Sequence, residues 1–270
     1  MAIPFKKNNP GCPCCGQPEC PCACYAFDDN AEDSSISNLH LTSTSASLSD
    51  YTTGKLGKAF KHTGSQHHEH AHHDCFTPSV GDGLAVWFWL KVVTAPSTSS
   101  DWQGIVTKGR ISSSPVFTGE WGIFWKTPPG GGASGPSMSF AYNTGSGPAT
   151  VGDLAIGSDI WYFFHWSLNT VTAVSTLTAY NSSTDEEFGG DAAVIVGEIA
   201  AVPAELMRVG NNTDGEILGA NSGEFLIDNL GFCKDIGTEA EMEERAENLY
   251  NDGDGRACNH AGYEGGGCCA

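Results

Sequence analysis

The sequence predicts an all-β fold, an antiparallel β-sandwich finished by one short helix, and three observations carry that prediction. Short apolar or alternating runs recur along the chain, bounded by Gly, Pro, Asn or Ser clusters. The 34 glycines and 13 prolines among 270 residues suit many tight turns. Helical periodicity is confined to Thr238 to Asn251, directly after the strand-like Phe225 to Phe232. A β-sandwich of this size is commonly one domain, so a main domain at 26–257 is expected between short cysteine-rich ends, 1–25 and 258–270.

Residues 1–25 are rich in cysteine, proline and glycine with almost no apolar periodicity, so order there has to come from metal, disulfides or docking onto the body. Short strands are expected from Phe27-Asp28-Asp29 onward, through Asp33 to Asn38, Leu39 to Leu41 and Gly54 to Phe60. Leu84 to Val93 is the strongest strand: Trp87 and Trp89 face one way, Phe88 and Leu90 the other. Apolar residues on both faces place it centrally in a sandwich. Further strands are predicted at Gln103 to Lys108, Trp121 to Lys126, Ser137 to Tyr142, Ile160 to Leu168 and Thr172 to Tyr180. Turn clusters such as Pro128 to Gly132 and Asn143 to Gly147 join them as antiparallel hairpins. Thr238 and Glu241 form a capping box for the closing helix, Met242, Ala246 and Leu249 share one of its faces, and Asn251-Asp252-Gly253 supplies the stop.

A net charge of −19 repels phosphate backbones and anionic lipid surfaces, which argues against nucleic acid and membrane partners and leaves metal cations and neutral glycans. No apolar run is long enough for a membrane span, and no Sec signal peptide is seen at the N-terminus. The 11 cysteines cluster at the ends, with only Cys75 and Cys233 in the body, and an odd number cannot all pair internally.

Several segments occur in a recognisable order: Phe27-Asp28-Asp29 with Asp33-Ser34-Ser35, Gly57 to Phe60, Val86 to Lys91, Ile105 to Gly109, Trp161 to Trp166, Arg208-Val209-Gly210 and Ile227-Asp228. Over residues 26–257 this set resembles the laminin-G-like domains of the concanavalin A-like lectin/glucanase superfamily. The resemblance implies a jelly-roll β-sandwich, often with a structural Ca²⁺, and speaks for fold more than for any one ligand. Such domains usually act outside cells. Without a signal peptide, that points to unusual export or to a particle assembled inside the cell and released, such as a virion.

Five chemistries are open to the residues. Asp28, Asp29, Asp33, Asn38 and Asp228 could supply oxygen ligands to Ca²⁺ if the first and last long strands lie side by side; otherwise they are turn formers and a solvated strand residue. In Gln66 to Asp74, period-two geometry puts His68, His70 and His72 on one strand face, where they could bind Zn²⁺, though neighbours on that face are about 7 Å apart at Cα. The plainer alternative is a polar edge strand or loop. Cys12, Cys15, Cys20, Cys22 and Cys24 offer zinc thiolate or disulfides without a clean pair of C-x₂-C knuckles. Cys258, Cys268 and Cys269 suit a cross-link between chains, or one local disulfide. Trp121 and Trp125 flank turn-rich sequence and are the candidates for stacking on sugar rings, although most tryptophans belong to the core. An alternating acid strand of the glucanase type is not found, since Asp185-Glu186-Glu187 is contiguous, and no Gly-x-Ser-x-Gly elbow occurs.

The expected function is therefore a non-enzymatic structural or adhesive protein of an extracellular particle, a virion or surface appendage, that self-associates or contacts neighbouring subunits. The alternative is a calcium-dependent carbohydrate-binding module. A glucanase-type glycoside hydrolase is the least favoured.

Overall fold

In the computed structural model the described residues are 22–35, 37–44, 50–64, 66–78, 83–94, 102–109, 111–112, 116–117, 119–126, 137–144, 148–189, 191–194, 199, 205–210, 223–234 and 238–255. They form two large antiparallel sheets and one helix. With strands numbered in chain order, the first sheet runs β15 (Glu186–Glu187), β14 (Val174–Asn181), β13 (Trp161–Asn169), β6 (Gly83–Thr94), β18 (Glu224–Cys233), β4 (Lys58–His62) and β3 (Tyr51–Thr53). β1 (Ala23–Tyr25) adds to β18 and β16 (Asp191–Val194) to β14, making nine strands. The second sheet has seven: β12 (Pro148–Ala155), β11 (Ser137–Asn143), β10 (Trp121–Lys126), β7 (Trp102–Lys108), β17 (Met207–Gly210), β5 (His67–His70) and β2 (Thr42–Thr44). A small hairpin pairs β8 (Ile111–Ser112) with β9 (Val116–Phe117).

β6 lies between β13 and β18, as its two apolar faces require. Leu84, Val86, Phe88, Leu90 and Val92 point into the core between the sheets, which they share with Ile105, Ile123, Phe140 and Trp166. Ala85, Trp87 and Trp89 point outward and form a second apolar layer with Phe163, Cys233, Met242 and Tyr250. That layer is roofed by α1 (Glu239–Tyr250). The capping box is complete: Thr238 N donates to Glu241 Oε2 at 2.7 Å, and Glu241 N donates to Thr238 Oγ1 at 3.4 Å. Asn251, left-handed at φ 50°, ends the helix.

β18 carries a bulge between Asp228 and Gly231, with Asn229 at φ 49°. It lets Ile227 and Leu230, three residues apart, both face the core. Gly231 then passes beneath Trp87, where an added Cβ would fall 2.1 Å from the indole.

Two expectations change near the N-terminus. Phe27 and Asp29 have φ of 58° and 69°, so Phe27-Asp28-Asp29 is a turn rather than a strand. The cysteine-rich segment is not separate up to residue 25, because β1 pairs with β18 and Cys22 is disulfide-bonded to Cys75, 53 residues away. Cutting that cross-link with Cys22→Ser and Cys75→Ser is expected to cost about 4 kcal/mol from loop entropy, read as a lower urea midpoint. An unchanged midpoint would mean that β1 holds its place without it.

Candidate functional site

The five residues suggested for calcium are engaged within the protein. Asp33, 4% exposed, accepts from the amides of Cys24, Ser35 and Leu39 and from Ser35 Oγ, each at 2.8 Å. Asp228, fully buried, accepts from the amides of Lys55 and Leu56 at 2.8 Å through Oδ2 and from Asn229 Nδ2 at 2.6 Å through Oδ1. Asp28 accepts from the Lys58 amide at 2.8 Å, and Asp29 pairs with Lys58 Nζ at 2.6 Å. Asn38 occupies a left-handed turn at φ 53°. The acids thus brace irregular backbone, with Asp28, Asp29 and Asp228 around the Gly54–Lys58 turn and Asp33 on the 22–39 segment. Among the described residues no three His, Cys, Asp or Glu side chains converge on a metal position, so these five do not fit the expected Ca²⁺ cage.

The histidines separate for a different reason. β5 ends at His70, so His72 is not on the strand. His68 is buried in the core against Phe60, with Ser43 Oγ 2.9 Å from Nδ1 and Tyr51 Oη 3.2 Å from Nε2. His70 donates from Nδ1 to Ala71 O at 2.7 Å, and His72 Nε2 lies 3.8 Å from Asp74 Oδ1. His73 Nδ1 accepts the Cys75 amide, which leaves the proton on Nε2 and no lone pair there for a metal. The zinc expectation for His68, His70 and His72 is therefore corrected. Of the two alternatives open to the N-terminal cysteines, Cys22 and Cys24 take the disulfide. Cys12, Cys15, Cys20, Cys258, Cys268 and Cys269 lie outside the described residues.

Trp121 and Trp125 do not reach solvent. Both are fully buried in the central core, because each shares the inward face of β10 with Ile123. Trp121 Nε1 donates to Phe76 O at 2.7 Å. Neither ring is available to a sugar.

The same alternation builds a face that sequence reasoning missed. Opposite the inward residues Ile123, Met138, Phe140, Met207 and Val209, the outer face of the seven-stranded sheet carries Glu69, Arg208, Thr107, Gly122, Phe124, Ser137, Ser139 and Ala141. The Phe124 ring lies back across Gly122, where an added Cβ would come within 2.2 Å of it. Thr107, Ser137 and Ser139 are 1%, 5% and 0% exposed, yet among the described residues their hydroxyls have no hydrogen-bond partner. Beside Thr107, Arg208 Nε meets Glu69 Oε2 at 3.3 Å, and His67 Nε2 meets the same oxygen at 3.4 Å, all three side chains half-buried. The signal was present in Ser137-Met138-Ser139-Phe140-Ala141, small or hydroxyl-bearing residues alternating with large apolar ones. The hydroxyls are shielded from solvent, so the part of this face open to it is the Glu69, Arg208 and His67 cluster.

No protein-family model matches the sequence, and no curated protein is similar to it. Solved structures are similar in fold. The binding domain of Paraclostridial Mosquitocidal Protein 1 superposes with a TM-score of 0.61 at 13% identity, over 85% of this chain and 52% of that one. The botulinum neurotoxin type G receptor binding domain gives 0.53 at 11% identity, over 84% and 51%. The botulinum neurotoxin serotype D ligand binding domain, in complex with N-acetylneuraminic acid, gives 0.55 at 11% identity, over 85% and 51%. The chain spans about half the length of each. At these identities the likeness extends to the fold, an all-β sandwich.

Burial of His68 makes stability depend on pH. Desolvation lowers its pKa from 6.5 to about 4, so its contribution is present above 6.5 and is lost as pH falls toward 4. Asp228 acts oppositely: burial raises it from 3.8 to about 6, so its contribution is present below 3.8 and is lost as pH rises through 6. His68→Gln is expected to remove about 2 kcal/mol of the stability lost between pH 7 and pH 5. Urea melts at the two pH values measure it, and equal losses in both proteins would contradict a neutral, desolvated His68.

Proposed function

We propose that this chain is a non-enzymatic, lectin-like binding module that holds a glycan on the outer face of its seven-stranded sheet. One observation carries the proposal: Glu69, Arg208 and His67 form a half-buried polar cluster on that face, beside Thr107. Sugar hydroxyls both donate and accept, and the cluster offers a carboxylate acceptor next to guanidinium and imidazole nitrogens. The fold neighbours lend support, since they are named as receptor-binding or ligand-binding domains and one holds N-acetylneuraminic acid. Glu69, the acid at this face, is held by Arg208 and His67, which suits recognition better than the paired carboxyl groups of glycoside hydrolysis. The binding is proposed to be independent of calcium, since Asp28, Asp29, Asp33 and Asp228 accept from the protein's own donors.

A glycan array with neutral and sialylated sugars tests this, run with and without EDTA. Binding that survives EDTA is expected, and Arg208→Ala should weaken it about 3- to 10-fold, the worth of one hydrogen bond. Ser139→Ala should leave binding unchanged and stability unchanged or raised, since it removes a buried hydroxyl without a partner among the described residues. An array silent throughout, or full binding by Arg208→Ala, would remove this face as the site.

The extracellular setting is part of the same proposal. The Cys22–Cys75 disulfide suits an oxidising compartment. Cys258, Cys268 and Cys269 are proposed to link neighbouring copies within a particle or appendage. Disulfide-bonded multimers are then expected on non-reducing gels and lost with reductant; a single monomer band under both conditions would oppose it.

A further inference from the structure

His165 is the most unusual side chain under α1. It follows Phe164 and precedes Trp166, both turned into the central core, so it points outward into the layer that the helix roofs. It is fully buried, and among the described residues its ring nitrogens meet no hydrogen-bonding group other than its own backbone. Its ring stacks on Trp87, with centroids 6.4 Å apart and planes 16° apart. An imidazole in this setting is held as a neutral, poorly satisfied polar group.

The helix adds a charge that opposes its protonation. Of the α1 residues, Met242, Arg245, Ala246 and Tyr250 are buried, while Glu239, Glu241, Glu243, Glu244 and Glu247 are exposed. The cation Arg245 acts on His165 across the interface. β6 presents the apolar Ala85, Trp87 and Trp89 to this layer, β14 presents Thr178 opposite His165 and Tyr180 farther along, and β18 presents the thiol of Cys233. The phenol of Tyr180 is held above its ordinary value, chiefly by burial. No carboxylate contributes to the shift of His165.

We infer that α1 is an acid-released cover: a proton on His165, buried and facing Arg245, undocks the helix and uncovers the aromatic layer of Trp87, Trp89 and Phe163. Burial first and Arg245 second depress the imidazole from 6.5 to about 3 while the helix is docked. Docking is therefore undisturbed above pH 6.5 and is progressively lost as pH falls toward 3. Each pH unit in that window favours the released form about tenfold. His62 and His68 are also depressed, to about 4, but they lie on β4 and β5 rather than beneath α1. Their protonation weakens the sandwich, whereas that of His165 acts on the helix.

Hydrogen exchange on the full chain, corrected for intrinsic rates, separates the two. Between pH 6.5 and pH 4.5 the opening constant of residues 239–250 is expected to rise about 50-fold, while β6 and β13 stay protected. An environment-sensitive apolar dye should bind over the same range. His165→Leu, which replaces the imidazole with an apolar side chain, should flatten the rise, and Arg245→Met should reduce it whether or not His165→Leu folds. A helix that opens with acid equally in wild type and Arg245→Met, or that opens only together with β6 and β13, would overturn the inference.

Discussion

β6 is apolar on both faces, and that requires two covers. Its inward residues, Leu84 to Val92 in alternation, need a second sheet opposite them, while Ala85, Trp87 and Trp89 need a roof on the other side. Without the roof, two indoles and Phe163 would lie in water, and burying large side chains of this kind is worth roughly 1.5–3 kcal/mol each. The seven-stranded sheet answers the first demand and α1 the second. The neighbouring strands accommodate the same demand: β18 gives up a side chain at Gly231 to make room for Trp87, and β13 supplies Phe163 and His165 to the roofed layer.

Irregular chain around this framework is held by carboxylates acting as local acceptors. Asp33 gathers three amides of the 22–39 segment, and Asp228 gathers two from the Gly54–Lys58 turn. Backbone amides without a ladder partner must be satisfied somehow, and a buried acid can take several at once. Asp228 does this from the bulge of β18, so the feature that keeps Ile227 and Leu230 in the core also sends its carboxylate toward the turn. A cation would compete for the same lone pairs. At Asp228 the amides only partly offset the burial that raises its pKa.

Much of the framework was legible because it rests on local patterns. Alternation located β6, β10, β11, β13 and β14 to within a few residues, and the Thr238–Glu241 box marked the helix start. What was not legible depends on tertiary position. The positive φ of Phe27 and Asp29 follows from where β1 enters the sheet, and nothing in a cysteine count pairs Cys22 with Cys75. The histidine run resembles a metal strand only if the strand continues past His70, which it does not. Trp121 and Trp125 illustrate the reverse: sharing a face with Ile123 already assigned them to the core, and the appeal of aromatic rings for sugar binding obscured it. The outer face with Thr107, Ser137 and Ser139 was written in the same alternation, but small residues carry no motif.

The two outer surfaces of the sandwich consequently differ in kind. One is aromatic and has to be sealed, so it is covered by an element of the chain itself, with one polar group, His165, trapped beneath it. The other carries hydroxyls and glycine that are themselves shielded from solvent, with the half-buried Glu69–Arg208 ion pair alongside. Polar groups on the two sides have opposite consequences. A hydroxyl stays neutral at any physiological pH, so its burial leaves that sheet indifferent to acid. An imidazole can take up a proton, and where a cation already sits across the interface the charge is relieved by separation. The proposed recognition and the proposed opening thus fall on opposite sides of one sandwich, connected through β6 and its neighbours rather than through any shared residue.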